Sequence, residues 1–248
     1  MRDGRSQRIG EWLLLYGVSV LGALVLSAML VQATGGEWRP VLSALLDGSL
    51  RNPGRWGETL GHAAPLLLVA LGTIVSSQAG LINIGQEGQL LVGAATATYF
   101  GLLIGGPGPL NVAIILLFGF VGGAFWASLA AGLRFSRGVP EVLSTLLLVT
   151  VASQAVAYAL GRQWLLLAPE ADRGNRNQVS QQLAEGNRLA RIELFGNEFP
   201  LTVLFAVALA ALVAFAMGRT IWGFRLSMMG KNPRAAKRFG VAERTYGT

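Results

Sequence analysis

Apolar and polar residues in this chain fall into long blocks, not into two- or four-residue alternation. Residues 12–31 form a run without a single charge, about the 20 residues a helix needs to cross hydrocarbon. Arg2, Arg5 and Arg8 precede it, and Val31-Gln32-Ala33 resembles a signal-peptide cleavage site. Signal h-regions run only about 7–15 residues, so the run reads as an uncleaved span. Further apolar stretches at 63–82, 88–104, 109–133, 140–161 and 200–217 bring the expected number of spans to six. Pro65, Pro109, Pro140 and Pro200 stand near the openings of these stretches, where a first helical turn has no use for the missing N–H. The weakest stretch is 63–82. Its strongly apolar part ends at Val75 and Ser76-Ser77-Gln78 interrupts it, so a re-entrant segment is the alternative there.

Two polar segments separate these blocks. Residues 33–60 carry a helical stripe of Trp38, Val41, Leu42, Leu45 and Leu46, the pattern of an interfacial helix. Residues 162–199 hold five Arg and five Asp/Glu. They read as a neutral, hydrated extracytoplasmic loop, either a solvated connector or a docking surface.

Composition sharpens this picture. The 248 residues are 52% hydrophobic and 13% charged, against about 25% charged in soluble domains. The chain is therefore expected to be an all-α polytopic membrane protein. It has no cysteine, which excludes disulfides and thiolate chemistry, and a single histidine, His62, which excludes sites that need two imidazoles. His62, beside Gly61 at a span's entry, reads as a plain interface residue. No metal or cofactor is expected. Nor is there a G-x-x-x-x-G-K-[ST] sequence, so nucleotide hydrolysis is not expected of this chain.

The net charge of +7 does not signal nucleic acid, because of where it sits. With six spans and the N-terminus inside, segments 1–11, 134–140 and 218–248 carry twelve Lys/Arg, against eight in the outside loops. Making 63–82 re-entrant reverses that count. The positive-inside tendency thus favours six spans with both termini cytoplasmic.

Many of the 33 glycines lie inside the spans. Gly101/Gly105, Gly119/Gly123 and Ala127/Ala131 are small-x-x-x-small pairs, either close helix contacts or ordinary membrane-helix glycine. Residues 80–93 (GLINIGQEGQLLVG) place Asn83, Gln86, Glu87 and Gln89 among glycines between two apolar runs. Unpaired backbone in hydrocarbon costs about 2–7 kcal/mol per group. Such a segment must be buried in protein, line an aqueous cavity, or sit at the membrane surface. Glu87, the only carboxylate between Glu58 and Glu141, is a helix-end residue or a member of a substrate or gating path.

In the tail 218–248, Asn232-Pro233 reads as an N-cap and first-turn proline, with Gly240 just past the end of a helix over 233–239. Lys231, Arg234, Lys237 and Arg238 surround Ala235 and Ala236. Two turns are unstable alone in water. The bundle must hold this helix, with a partner or anionic lipid on its other side.

Three blocks then match a known pattern. "AAPLLLVALGTIVSSQAGLINIGQEGQLLVGA" (63–94) resembles P-L followed by G-L-x-N-I-G-x-E-G-Q. "GVPEVLSTLLL" (138–148) resembles G-x-N-E-V-x-x-T-[IL], with Pro140 where asparagine is common. "WGFRLSMMGKNPRAAKRFGV" (222–241) is similar to W-G-x-x-x-R-x-x-G-x-N-P-x-A-A-x-x-x-G-[IV]. Together they resemble the transmembrane permease subunit of bacterial ABC importers for simple sugars and nucleosides, a protein of the cytoplasmic membrane.

The resemblance implies a path formed with a second permease chain, driven by ABC ATPase subunits and supplied by an extracytoplasmic substrate-binding protein. It implies that Gly230, Asn232, Pro233, Ala235, Ala236 and Gly240 form the ATPase contact. Asn83, Gly85, Glu87, Gly88 and Gln89 would belong to a helix break in the permease core, and Glu141 and Thr145 to the following span. Residues 162–199 would help to meet the binding protein. Family members continue past the coupling segment to about ten spans, so these 248 residues are expected to be the N-terminal part of a larger permease. Two other readings stay open at this point: an ion-coupled secondary transporter using Glu87, and a non-transporting fragment.

Overall fold

A computed structural model describes residues 3–52, 55–104, 108–170, 178–194 and 197–241. The described chain is mostly helical. Five helices are long and apolar enough to cross a membrane.

The chain divides into two compact units, Met1–Thr59 with Glu193–Glu198, and Leu60–Ile192 with Phe199–Thr248. In the first unit, α1 (Asp3–Ala33) contains the spanning stretch Glu11–Ala33. A turn through Gly35, at φ +83°, leads to α2 (Trp38–Leu46). Trp38, Val41, Leu42 and Leu45 face Leu21, Leu24 and Ala28 of α1 across an apolar groove. The stripe over 33–60 is therefore a helix, as its spacing predicts.

The second unit opens on α3 (Arg55–Gln78), whose first residues belong to the first unit. At 1.5 Å per residue its 24 residues reach about 36 Å, more than the ~30 Å hydrocarbon core. Two expectations are corrected here. Pro65 lies inside this helix, not in its first turn, because α3 begins ten residues earlier at Arg55. Ser76-Ser77-Gln78 is its last turn and not an interruption.

After the non-helical stretch 79–85 come α4 (Gln86–Leu103), α5 (Pro109–Arg137) and α6 (Glu141–Leu160). Pro109 is in the first turn of α5, while Pro140 and the later Pro200 are N-cap residues. Helix α4 is not among the five apolar spans. Its 18 residues open with Gln86, Glu87 and Gln89, and its centre is Gly, Ala and Thr. It needs less apolar surface because α5 and α6 flank it.

Small residues permit that flanking. A β-carbon at Gly93 would stand 2.9 Å from Gly119 O of α5, and one at Gly122 would overlap Thr96 of α4. One at Gly119 would meet Ala97 Cβ at 3.2 Å, and one at Gly123 would meet Gln89 O at 3.2 Å. The Gly119/Gly123 pair is thus a true helix contact. Gly101 packs on Ile115, while Gly105 lies outside the described residues.

The described residues between 161 and 200 contain short pieces of regular structure. Leu167 and Ser180 form an antiparallel bridge, Glu185–Asn187 make a single 3-10 turn, and β1 (Arg191–Leu194) pairs with β2 (Asn197–Pro200). Residues 171–177 are outside the description. Helix α7 (Leu201–Arg219) follows, then α8 (Ile221–Lys231) and α9 (Pro233–Arg238). Apolar periodicity does not announce α8. Thr220 caps it by accepting from Gly223 N–H at 3.2 Å.

We expect Gly93→Val and Gly122→Val to drive α4 and α5 apart and to lower stability by about 1–3 kcal/mol each. Gly132→Ala, where an added β-carbon meets nothing within 4 Å, is expected to leave stability unchanged or slightly raised. Unfolding of the purified protein in detergent measures all three.

Candidate functional site

The stretch 79–85 is a non-helical break between α3 and α4, and most of its backbone N–H groups find acceptors, from three sides. Helix α3 ends by folding its own chain back: Gly80 N–H donates to Ser77 O at 3.0 Å and Leu81 N–H to Ser76 O at 2.9 Å. This ending requires the left-handed conformation of Gly80, at φ +76°. Helix α6 supplies the next acceptors. Ile82 N–H donates to Glu141 Oε1 and Ile84 N–H to Thr145 Oγ1, each a long 3.4 Å bond. Asn83 closes the stretch, its Oδ1 accepting from Gly85 N–H at 2.8 Å and more distantly from Gln89 Nε2 at 3.5 Å.

Neighbouring side chains fix the same region. Arg134, in the last turn of α5, forms an ion pair with Glu141 across the Gly138-Val139-Pro140 turn. Gln86 Nε2 donates to Thr73 Oγ1 of α3 at 3.0 Å. Gly85 and Gly88 allow α4 to lie on α6, since β-carbons there would stand 3.0 Å from Thr145 Cβ and 3.1 Å from Val149 Cα.

A cavity of about 520 Å³ opens beside this network. Its polar wall is Ser76, Asn83, Gln89, Arg134, Glu141 and Thr145, and its apolar wall includes Leu68, Val75, Leu209, Val213 and Trp222. The one cation and the one anion on this wall are paired with each other. The surface therefore offers amide, hydroxyl and ion-paired groups with no net charge, beside an apolar face. That chemistry suits a neutral solute rich in hydroxyl groups.

The structure thus joins Asn83, Gly85, Gln89, Glu141 and Thr145, and sets Gly88 against α6. Glu87 is elsewhere: it is exposed in the first turn of α4 and does not line the cavity. A carboxylate there complements the helix N-terminus. Arg134, Ser76 and Trp222 escaped the sequence reading as site residues. A basic last turn, a Gly-x-Pro turn and an acid opening the next helix are the signal that would have paired Arg134 with Glu141.

The tail lies against the same break. Asn232 Oδ1 accepts from Ala235 N–H at 3.0 Å and caps α9, with Pro233 in its first turn. Gly240, at φ +76°, ends it: Gly240 N–H donates to Lys237 O at 3.2 Å and Val241 N–H to Ala236 O at 3.0 Å. Ala236 and Val241 are buried with Ala79, Leu226 and Met229 in one apolar cluster. Gly230 meets the backbone of Gln78–Gly80 directly. Of the expected contact residues, Gly230 and Ala236 therefore face this chain's own bundle, and Gly240 shapes the helix end. The exposed side consists of Lys231, Asn232, Pro233, Arg234, Lys237, Arg238 and Phe239, the last 79% exposed.

Comparison with known proteins bears on what this arrangement serves. Residues 57–247 match the family described as branched-chain amino acid transport system / permease component. This chain belongs to that permease family. It is similar to the glucose ABC transporter permease protein TsgB13 of Haloferax volcanii, with 31% identity over 96% of this chain and 64% of the relative. It is also similar to the guanosine ABC transporter permease protein NupP of Bacillus subtilis, at 25% identity over 92% and 64%. The nucleoside ABC transporter permease protein NupB of Lactococcus lactis is 29% identical over 91% and 62%. This permease chain therefore spans a little under two thirds of the length of these relatives. No solved structure matches it. Membership makes it an integral, multi-pass membrane protein.

Thr145→Val is expected to strand the Ile84 N–H and to cost about 1–3 kcal/mol, whereas Thr145→Ser keeps the acceptor and most of the stability. Amide hydrogen exchange at residues 82–85 should rise in the valine variant and stay near wild type in the serine variant.

Proposed function

We propose that this chain is the membrane-spanning permease subunit of an ATP-driven importer, and that it lines the path of a nucleoside or simple sugar delivered by an extracytoplasmic binding protein. The observation that carries the reading is the junction of two features in one unit. A cavity of no net charge, suited to a hydroxyl-rich solute, shares residues Ala79, Leu81 and Leu226 with the seat of the capped tail helix α9. The names of the relatives above support the substrate class. In this reading six helices traverse the bilayer, α4 being the shielded one, with both termini cytoplasmic. The chain continues into further spans, and a second permease chain completes the path. Residues 162–199 form the extracytoplasmic surface toward the binding protein.

The ATPase docks on α9. Because Ala236 is buried against the bundle, the contact falls to Arg234, Lys237, Arg238 and Phe239. Asn232, Pro233 and Gly240 hold the helix in shape, and Ala235 sits half-buried at the edge of the contact. Hydrolysis belongs to the partner.

Two measurements test this. Arg238→Glu with Phe239→Ala should lower ATPase recovery with the purified permease at least tenfold while membrane insertion stays normal; undiminished co-purification refutes the docking surface. In proteoliposomes, nucleoside or glucose uptake should require ATP and the binding protein. Uptake that follows a proton gradient and ignores ATP would overturn the importer reading in favour of an ion-coupled one.

A further inference from the structure

A tightly constrained contact in the second unit lies between the tail and the helix break, and it is made by backbone alone. A β-carbon at Gly80 would stand 2.9 Å from Gly230 Cα and 3.2 Å from Gly230 O. One built at Gly230 would overlap Gln78 O and stand 2.7 Å from Gly80 N. Backbone against backbone leaves nothing that can change rotamer and absorb a displacement. Around this point, Ser227 Oγ donates to Gln78 Oε1 at 3.3 Å. Leu226, Met229, Ala236 and Val241 bury themselves on Ala79.

Beyond the contact the connection continues without a gap. Ala79, Leu81 and Leu226 themselves form part of the cavity wall. The next residues, Ile82 and Ile84, are tied through their N–H groups to Glu141 and Thr145 of that wall. Close-packed elements of this kind shift as bodies and do not deform gradually.

Resting on the permease reading above, we propose that α8, α9 and residues 78–81 move as one rigid body hinged on no flexible side chain, and that Gly80 and Gly230 are its positioning residues. A displacement of α9 then arrives at the cavity wall at Ala79, Leu81 and Leu226 undiminished. Asn83, the polar cavity-lining residue of the break, lies two positions beyond Leu81.

The absence of cysteine from these 248 residues makes the test direct. Gln78→Cys with Ser227→Cys is assembled into the transporter and joined by a short reversible bis-methanethiosulfonate linker. The bridge should form readily, and ATP-driven uptake should stay within twofold of the unbridged sample. A bridge that lowers uptake tenfold or more, with recovery on reduction, overturns the rigid body; failure of the bridge to form overturns the contact itself.

Nitroxides on the same two cysteines give a readout that needs no transport. Their dipolar broadening should be the same with and without ATP, and loss of broadening in either state sinks the proposal. Gly230→Ala should lower the solute moved per ATP hydrolysed at least fivefold with Gly132→Ala unchanged, whereas an unaltered ratio shows that the contact transmits nothing. Lack of ATP-driven uptake in the unbridged protein would count against the permease reading instead, with the bridge and the broadening still reporting on the contact.

Discussion

Everything in the second unit depends on keeping a short non-helical piece of backbone satisfied inside a membrane protein. Backbone turned away from water needs its hydrogen bonds made within the protein, and most of the N–H groups between α3 and α4 find an acceptor there. The break uses the carbonyls of the preceding helical turn, the Asn83 amide, and the Glu141 and Thr145 side chains of α6. That requirement fixes where α6 begins and how close it lies. It also accounts for Arg134: a carboxylate turned inward toward Ile82 N–H needs a counter-charge, and the last turn of α5 provides one. The polar groups that satisfy the break are the same groups that make the cavity wall polar.

Glycine enforces the distances. The same helix ending appears twice, at Gly80 and at Gly240, each at φ +76° and each followed by an apolar residue turned back to the preceding helix. Gly85, Gly88, Gly93, Gly119 and Gly122 do a different task, because they hold the backbones of α4, α5 and α6 together without left-handed conformation. Between helices in lipid there is no hydrophobic drive, so close approach and buried hydrogen bonds are what hold the bundle.

Much of this is legible in the chain itself. Charge-free runs give the long apolar helices, the stripe from Trp38 to Leu46 gives α2, and Asn232-Pro233 with Gly240 gives α9, since each rests on local chemistry. The glycine-broken polar stretch announces itself for the same reason. What stays hidden is tertiary. Nothing in the order of residues says that Arg134 meets Glu141, or that Gly230 meets Gln78 across about 150 positions. Helix α3 misleads at Pro65 because a proline within a spanning helix is tolerated when neighbours satisfy the freed carbonyl. Helix α4 is found at the expected place, although flanking by α5 and α6 lets it be less apolar than the other long helices.

The basic tail shows how one small side chain sorts charge. Alanine at 236 lets α9 approach Ala79 and Leu226 closely enough to be buried almost completely. Once that side is committed, the helix has no freedom to turn, and Arg234, Lys237 and Arg238 are held on the solvent side with Phe239 among them. A larger residue at 236 would lift the helix and let those cations scatter. The positive charge of the tail is therefore a placed surface, and the residue that places it carries no charge at all.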